Sequence, residues 1–425
     1  MELLADQLEE SLFNSIVNPW YPRCIDTLHG GYISTFNHDW TLSEGNQNKA
    51  IVHQSRHLWT LAMLYDHYPE QDEFLAWADH GFRFIKQNFQ DPDYGGFYYA
   101  TTREGAPDPG TIGHKRVYGQ AFAIHGLARY YKVSKKIDAL EMAINAFRWM
   151  DKHARDGVHG GYFEVLKRDG TPESNDAGTT GESGNSPLTG LKEFNSSLHI
   201  LEAFTELYMV WPDPLLRERL EEMYLLFRDR FVNPEGYLHL FFYPDWTLVP
   251  DEVMVELSGG NYYYTQHITF GHDVETAFLM LEAAHALGLE DDKKALELAK
   301  KLVDHALAHG WDRENGGFYY AAYNNNGERT LHLDHKAFWV ESEGLNALML
   351  MHGLHPDEDY FGKFRKQWQY IDTWLIDKEH GGWYNYGLDT YPENIIQQKS
   401  HNWKTTYHDA RAMVNCINML RPDSN

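Results

Sequence analysis

Residues 94–100 read YGGFYYA. The same glycine phrase returns as HGGYIST at 29–35, HGGYFEV at 159–165, NGGFYYA at 315–321 and HGGWYNY at 380–386, with a degenerate EGYLHLF at 235–241. The first glycines of the doublets stand at 30, 95, 160, 316 and 381, so three steps are 65 residues long. The two steps through Gly236 are 76 and 80. A recurring period with two expanded steps marks a repeat protein of six units.

Between the phrases apolar residues recur at three- and four-residue spacing. This predicts helices over 2–17, 50–68, 72–89, 115–132, 136–154, 189–211, 214–232, 271–288, 290–308, 337–353, 357–376 and 404–420, two per phrase. Glycine stops one helix of each pair, and the alternating aromatics behind it predict a short hairpin. About 20 or more residues then pass before the next helix, and loops that long usually carry function. Periodicity alone does not separate an open solenoid from a closed ring. The long loops favour closure, because in a ring of six inner and six outer helices every inner helix starts at one rim. The expected fold is therefore all-α, a single (α/α)6 barrel over residues 1–425 with long loops and short β-hairpins at that rim. Two polar inserts, DGTPESNDAGTTGESGNSPLTG at 169–190 and WTLVPDEVMVELSGGNYYYTQHIT at 246–269, fill the expanded steps.

Bulk properties narrow the function. Across 425 residues, 37 Lys and Arg face 62 Asp and Glu, a formal charge of -25 that repels phosphate backbones and anionic lipid. No apolar run approaches the ~18–20 residues of a membrane span. The opening MELLADQLEESLFNSIV carries four acids and no base, which does not fit a secretory or transit peptide. Cys24 and Cys416 are the only cysteines, so neither a disulfide framework nor a thiolate zinc site is indicated, and a cytoplasmic location is expected. Aromatics make up 15% of residues, with 13 Trp and 27 Tyr. Such rings suit sugar binding, and equally the walls between helices.

Each inner helix brings a polar or aromatic residue near its start: Arg56 in VHQSRHLW, Tyr118 and Gln120 in RVYGQAF, Asn195 and His199 in FNSSLHILEAF, His272 and Glu275 in FGHDVETAF, Trp339 and Glu343 in FWVESEG, and Trp403 and His408 in NWKTTYHDAR. Within one turn, His272, Asp273 and Glu275 could serve a metal or an acid–base apparatus. A zinc site usually shows a paired-histidine spacing, and HExxH is absent. Alternatively, Glu275 simply favours the helix start and His272 is a hydrogen-bonded wall residue. Three histidines on three inner helices, His199, His272 and His408, weigh toward proton transfer. His199 and His272 share the form His-x-x-Glu, where Glu202 and Glu275 would orient the ring. Two imidazoles across one pocket can take a proton from one face of a carbon and return it to the other.

Taken together, SRHLWT, KRVYGQAFAIHGLARYY, NSSLHILEAFTELY, FGHDVE, WVESEG and WKTTYHDAR resemble the acylglucosamine 2-epimerase superfamily, and within it the cellobiose 2-epimerases, over nearly the whole chain. The resemblance implies an (α/α)6 barrel that needs no metal or nucleotide cofactor and inverts C2 of a reducing-end sugar. It implies His272 and His408 as the general acid–base pair, Arg56 as support for the enediolate oxygen, Glu275 as the carboxylate beside His272, and His199 as the residue assisting ring opening. Tyr118, Asn195, Trp339, Glu343 and Trp403 resemble sugar-contacting positions. Departures fall at Ser197, where the family carries a histidine, and at Phe278 and Phe338, where it carries tryptophans; all three are expected at sugar-facing walls. Residues 261–264 are expected to fold over the funnel, which favours free mannose and glucose over cellobiose as the gluco/manno pair. The rival readings are an aldose–ketose isomerase and, through two carboxylates, an inverting glycoside hydrolase. A noncatalytic helical binder is the reading outside enzymes.

Overall fold

The computed structural model describes residues 1–173, 189–257, 267–325 and 328–421. Helices Ile51–His67, Val117–Ser134, Phe194–Val210, Phe270–Leu287, Phe338–Leu354 and Tyr407–Leu420 each pack on the next, and the last packs on the first. They close an inner ring. Glu2–Ser11, Asp72–Asn88, Ile137–His153, Pro214–Leu226, Lys293–His309 and Tyr360–Tyr370 form the outer layer, each against one inner helix. The architecture is the expected (α/α)6 barrel. Every residue from Ile51 to Leu64 is buried, as a helix enclosed on all sides requires. Asp72–Asn88, by contrast, buries Phe74, Ala78, Phe82 and Ile85 along a single stripe. Three outer helices finish in a wider turn, at Leu12–Val17, Phe227–Phe231 and Ile371–Leu375.

A short helix, Asp251–Leu257, is additional to the expected twelve. Residues 174–188 and 258–266, including the expected covering segment 261–264, lie outside the described residues. No helix among the described residues is long and apolar enough to cross a membrane.

The strand pairing differs from the simple hairpin expected inside each phrase. Within a phrase only a bridge spans the glycines, as from Gln90 to Phe97. The paired strands cross between units instead: Lys49–Ala50 with Ala100–Thr101, His114–Arg116 with Val165–Lys167, Lys192–Glu193 with Phe241–Phe242, and His267–Thr269 with Ala321–Asn325. Bridges from Ala337 to Tyr386 and from Ser400 to Phe36 complete the circuit and join the sixth unit to the first. Ala321–Asn325 also forms a true hairpin with Glu328–Leu333.

A buried ion pair anchors nearly every unit. The lysine just ahead of an inner helix reaches the aspartate four residues before the glycine doublet: Lys49 to Asp26 at 3.0 Å, Lys115 to Asp91 at 3.0 Å, Lys192 to Asp156 at 2.8 Å, Lys336 to Asp312 at 2.6 Å and Lys399 to Asp377 at 2.5 Å. Lys49 and Lys192 also donate to the carbonyls of Gly30 and Gly160, both at 2.6 Å. The doublet itself has to be glycine: Gly95 and Gly96 have φ of 72° and 66°, and a Cβ on Gly96 would come within 2.9 Å of Gln120 Oε1. That same Gln120 amide bonds both the N–H and the C=O of Phe97 at 2.8 Å, pinning the phrase to its inner helix. The fourth unit lacks the ion pair: Ile268 stands two residues before its inner helix, and Asn233 follows Val232 of the Val232–Leu238 bridge, where the other units carry the aspartate.

Removing one partner of a buried pair leaves the other charge uncompensated. Asp377→Ala should therefore cost about 3–5 kcal/mol in denaturant unfolding, while the double variant Asp377→Leu/Lys399→Met should recover much of that loss. Equal loss in both would show that the charge pairing is not what holds the phrase.

Candidate active site

Because the six inner helices start at one rim, residues in their first two turns converge. Nine of the ten residues to which the family resemblance assigns a role line one cavity of about 440 Å³: Arg56, Tyr118, Asn195, His199, His272, Glu275, Trp339, Trp403 and His408; Gln120 instead holds Phe97. Glu343 is fully buried and sits behind His408 rather than in the cavity wall. Of the three departures from the family pattern, only Phe338 reaches this wall. Ser197 turns back to donate to the Glu193 carbonyl at 2.7 Å, and the Phe278 ring lies 5.9 Å from the Arg411 guanidinium. Neither of those two is a sugar-facing position.

His272 and His408 flank one indole. Their ring centroids lie 4.8 and 5.8 Å from that of Trp339. Thr269 Oγ1 is 3.1 Å from His272 Nδ1, and the Phe194 ring backs the imidazole at 5.2 Å. His408 Nδ1 is held by Glu343 Oε1 at 2.6 Å, which leaves Nε2 as the nitrogen for the cavity. His199 is set in the same manner, with Nδ1 2.9 Å from Glu202 Oε2. The His-x-x-Glu expectation thus holds for His199. It fails for His272, since Glu275 pairs with Arg411 at 3.0 Å and lies 3.9 Å from His408. Asp273 points elsewhere again, 3.7 Å from His305 in the barrel wall, and burial pushes its carboxyl up to about 6. The three neighbours in sequence serve three different places.

Arg411 is the hub. Its guanidinium meets Glu202, Glu275 and Glu343, and donates to Tyr407 Oη at 2.6 Å. Burial together with the charge of Glu343 raises Glu275 well above the usual carboxylate range. Although burial works against them, Glu202 and Glu343 are held low by Arg411 and their histidines. Burial lowers His408 to about 4 against the opposing pull of Glu343. Arg56 is fixed by donation to Tyr118 Oη at 3.0 Å and to the Trp403 carbonyl at 3.1 Å, with Phe122 under its guanidinium.

Metal binding can be weighed on the same atoms. Among the described residues, Glu275, Glu343 and His408 bring three ligand-type atoms within 4.8 Å. Those donors are spent on one another and on Arg411, whose positive charge sits where a cation would. The set therefore suits proton storage better than metal ligation.

A family description for N-acylglucosamine 2-epimerase (GlcNAc 2-epimerase) matches residues 31–412. The chain belongs to this family. A cellobiose 2-epimerase from Dictyoglomus turgidum is 26% identical over 99% of this chain and 100% of its own length. A D-mannose isomerase from Marinomonas mediterranea is 24% identical over 94% of each chain. The solved cellobiose 2-epimerase of Bacillus thermoamylovorans B4167 shares the fold, with a TM-score of 0.85 at 24% identity over 98% of this chain and 100% of that one. The protein is an enzyme of the isomerase class.

Sequence reasoning missed several members of the site. Arg411 and Tyr407 stand in the quoted WKTTYHDAR without being singled out, and Glu193, Tyr320, Tyr386 and His401 also line the cavity. Burial and the nearby Glu164 raise Glu193 to about 7. Its place two residues before Asn195 at a helix entry is the available signal.

Glu343 is the main group opposing the effect of burial on His408. Glu343→Gln should therefore move the His408 titration below its value of about 4, followed by histidine ¹⁵N NMR. An upward shift would contradict the assigned pairing.

Proposed function

We propose that the protein is a sugar 2-epimerase that interconverts gluco and manno configurations at C2 of a reducing aldose. The observation that carries this reading is the pair of imidazoles, His272 and His408, lining one cavity and both packed against the Trp339 ring. A bound aldose opens with help from His199 near O1 and O5. One histidine removes the C2 proton, and the other returns a proton to the opposite face of the resulting cis-enediolate. Arg56, held rigid by Tyr118 and Trp403, stabilises the oxygen on which charge develops. Burial and the charge of Glu343 favour the protonated form of Glu275, whose Oε1 lies 3.9 Å from His408 Nδ1. Tyr118, Asn195, Trp339 and Trp403 form the walls that orient the sugar. Glu343 acts through His408.

Relatives named cellobiose 2-epimerase and D-mannose isomerase both align along the chain, which supports a gluco/manno substrate and leaves two sizes of sugar in play. Free mannose and glucose remain the favoured pair, with the reducing end of cellobiose next. Aldose–ketose isomerisation is the second reading, favoured by the D-mannose isomerase likeness, and it shares the enediolate.

Incubation with mannose, glucose, cellobiose and mannobiose in deuterated water tests these readings together. Epimerisation predicts C2-deuterated aldoses of inverted configuration; ketose as the main product would favour isomerisation, and higher kcat/KM on disaccharides would overturn the monosaccharide preference. His272→Ala and His408→Ala should each lower kcat by about 10²–10⁴ while far-UV circular dichroism stays unchanged. Full turnover in either variant would remove that histidine from the reaction.

A further inference from the structure

Two carboxyl groups stand in the wall of the reaction cavity, Glu275 and Glu193. Glu275 is engaged by Arg411 at 3.0 Å. Glu193 makes no ion pair among the described residues, and Arg116, whose charge faces it, is drawn to Glu164 at 2.7 Å. Ser196 is the one described residue that hydrogen-bonds Glu193, its Oγ donating to Oε2 at 2.6 Å. Oε1 is left for a ligand and, unlike Glu343 Oε2, is not sealed from solvent. Its neighbours in the wall are apolar: Phe194 follows it, and Phe241 pairs with it across the strands, with Leu240 alongside. An open acceptor in such a wall gives a ligand hydroxyl a fixed place.

Depth in the funnel decides which part of a sugar this oxygen meets. Glu193 is the last residue before the inner helix Phe194–Val210, and His199 lies well inside that helix. At 1.5 Å per residue the two are roughly 9 Å apart along the axis, which is comparable to the length of one hexopyranose with its hydroxyls. The reaction places C1 and O5 beside His199. The carbon opposite C1 across a pyranose ring is C4, so the C4 hydroxyl is the one carried toward Glu193. The charged and titratable groups facing Glu193 are Glu164, Arg116 and Tyr118. Burial and Glu164 raise its carboxyl to about 7. Near neutral pH both of its forms are therefore populated, and each offers an acceptor to a hydroxyl.

We propose that Glu193 recognises the C4 hydroxyl of the substrate and so selects a hexose whose C4 oxygen is unsubstituted. The inference rests on the epimerase reading, because that reaction fixes which end of the sugar lies deep. A site built to bond one hydroxyl discriminates strongly against a substrate that lacks it. A sugar linked through O4, as the reducing unit of cellobiose is, has no hydrogen there to donate. The carboxylate thus favours a single hexose on its own account, apart from any segment that covers the funnel. Glu193 meets the sugar away from the reacting carbon, and it governs specificity rather than proton transfer at C2.

Kinetics on mannose and 4-deoxymannose with the wild type, Glu193→Ala and Glu193→Gln test this assignment. The wild type should lose about ten- to a hundredfold in kcat/KM when the C4 hydroxyl is removed. Glu193→Ala should lose a similar factor on mannose, mostly through KM, and nothing further on 4-deoxymannose. Glu193→Gln keeps both an acceptor and a donor, and should keep most of the discrimination. A full additional loss on 4-deoxymannose in Glu193→Ala, or discrimination lost in Glu193→Gln as completely as in Glu193→Ala, would overturn the assignment. Wild-type kcat/KM on mannose in Glu193→Ala would overturn it as well. A wild-type protein inert toward every aldose would instead end the epimerase reading. Calorimetric titration with 1,5-anhydromannitol and its 4-deoxy analogue, neither of which can open, then decides the role of Glu193 by itself. Weaker binding of the deoxy compound by the wild type, with equal binding of both by Glu193→Ala, supports that role, and equal binding of both by the wild type overturns it.

Discussion

One guanidinium against three carboxylates governs the centre of this molecule. Arg411, on the sixth inner helix, gathers Glu202 from the third, Glu275 from the fourth and Glu343 from the fifth. All four side chains are buried, so their attraction is strong and their desolvation expensive. A single positive charge cannot neutralise three negative ones in that setting. Burial and the charge of Glu343 push Glu275 up, while Arg411 and the histidines hold Glu202 and Glu343 low. The two carboxylates held low are the ones that hold histidine nitrogens, those of His199 and His408. The orientation of both rings therefore follows from one buried network, in which Glu343 Oε2 and Arg411 Nε have no hydrogen-bond partner.

The repeat supplies what that network needs, which is six helix starts at one rim. Lysine–aspartate pairs tie each entry to its own glycine phrase, and cross-unit strands tie it to the next phrase. The fourth unit breaks the pattern, with the uncharged Ile268 and Asn233 at the two places. This unit delivers His272. Local rules tend to lapse where function imposes its own demands, and the loss of both partners together avoids leaving a lone buried ion.

Much of the fold was legible because a 65-residue spacing and 3.6-residue periodicity are properties of sequence alone. The aspartate four residues before each doublet was equally visible, as DTLHGG, DPDYGG, DGVHGG, DRENGG and DKEHGG, but its lysine partner lies 22 to 36 residues away and needs the folded loop to be recognised. The cavity residues were legible from convergence at helix starts. Direction was not. His199–Glu202 and His272–Glu275 have identical spacing, yet one carboxylate orients its own histidine and the other turns to Arg411. The family resemblance placed Glu343 among sugar contacts, whereas its side chain sits behind His408. A hub such as Arg411 cannot be read from spacing, since its partners come from three other helices.

A ring of six helices leaves a bore that must be filled. Apolar side chains would fill it at lower cost, since buried ionic groups are commonly no more stable than hydrophobic ones of equal volume. This chain instead divides its bore with Glu202, Tyr407 and Arg411, with a cavity on each side. Tyr407 and Phe122 supply the apolar surface of the partition, packing around Arg56 and His125. The continuous hydrophobic core between inner and outer helices carries the stability that such a partition gives up. Buried charges drawn from four inner helices to one guanidinium are what proton transfer beside a reaction cavity uses and what packing alone would not select.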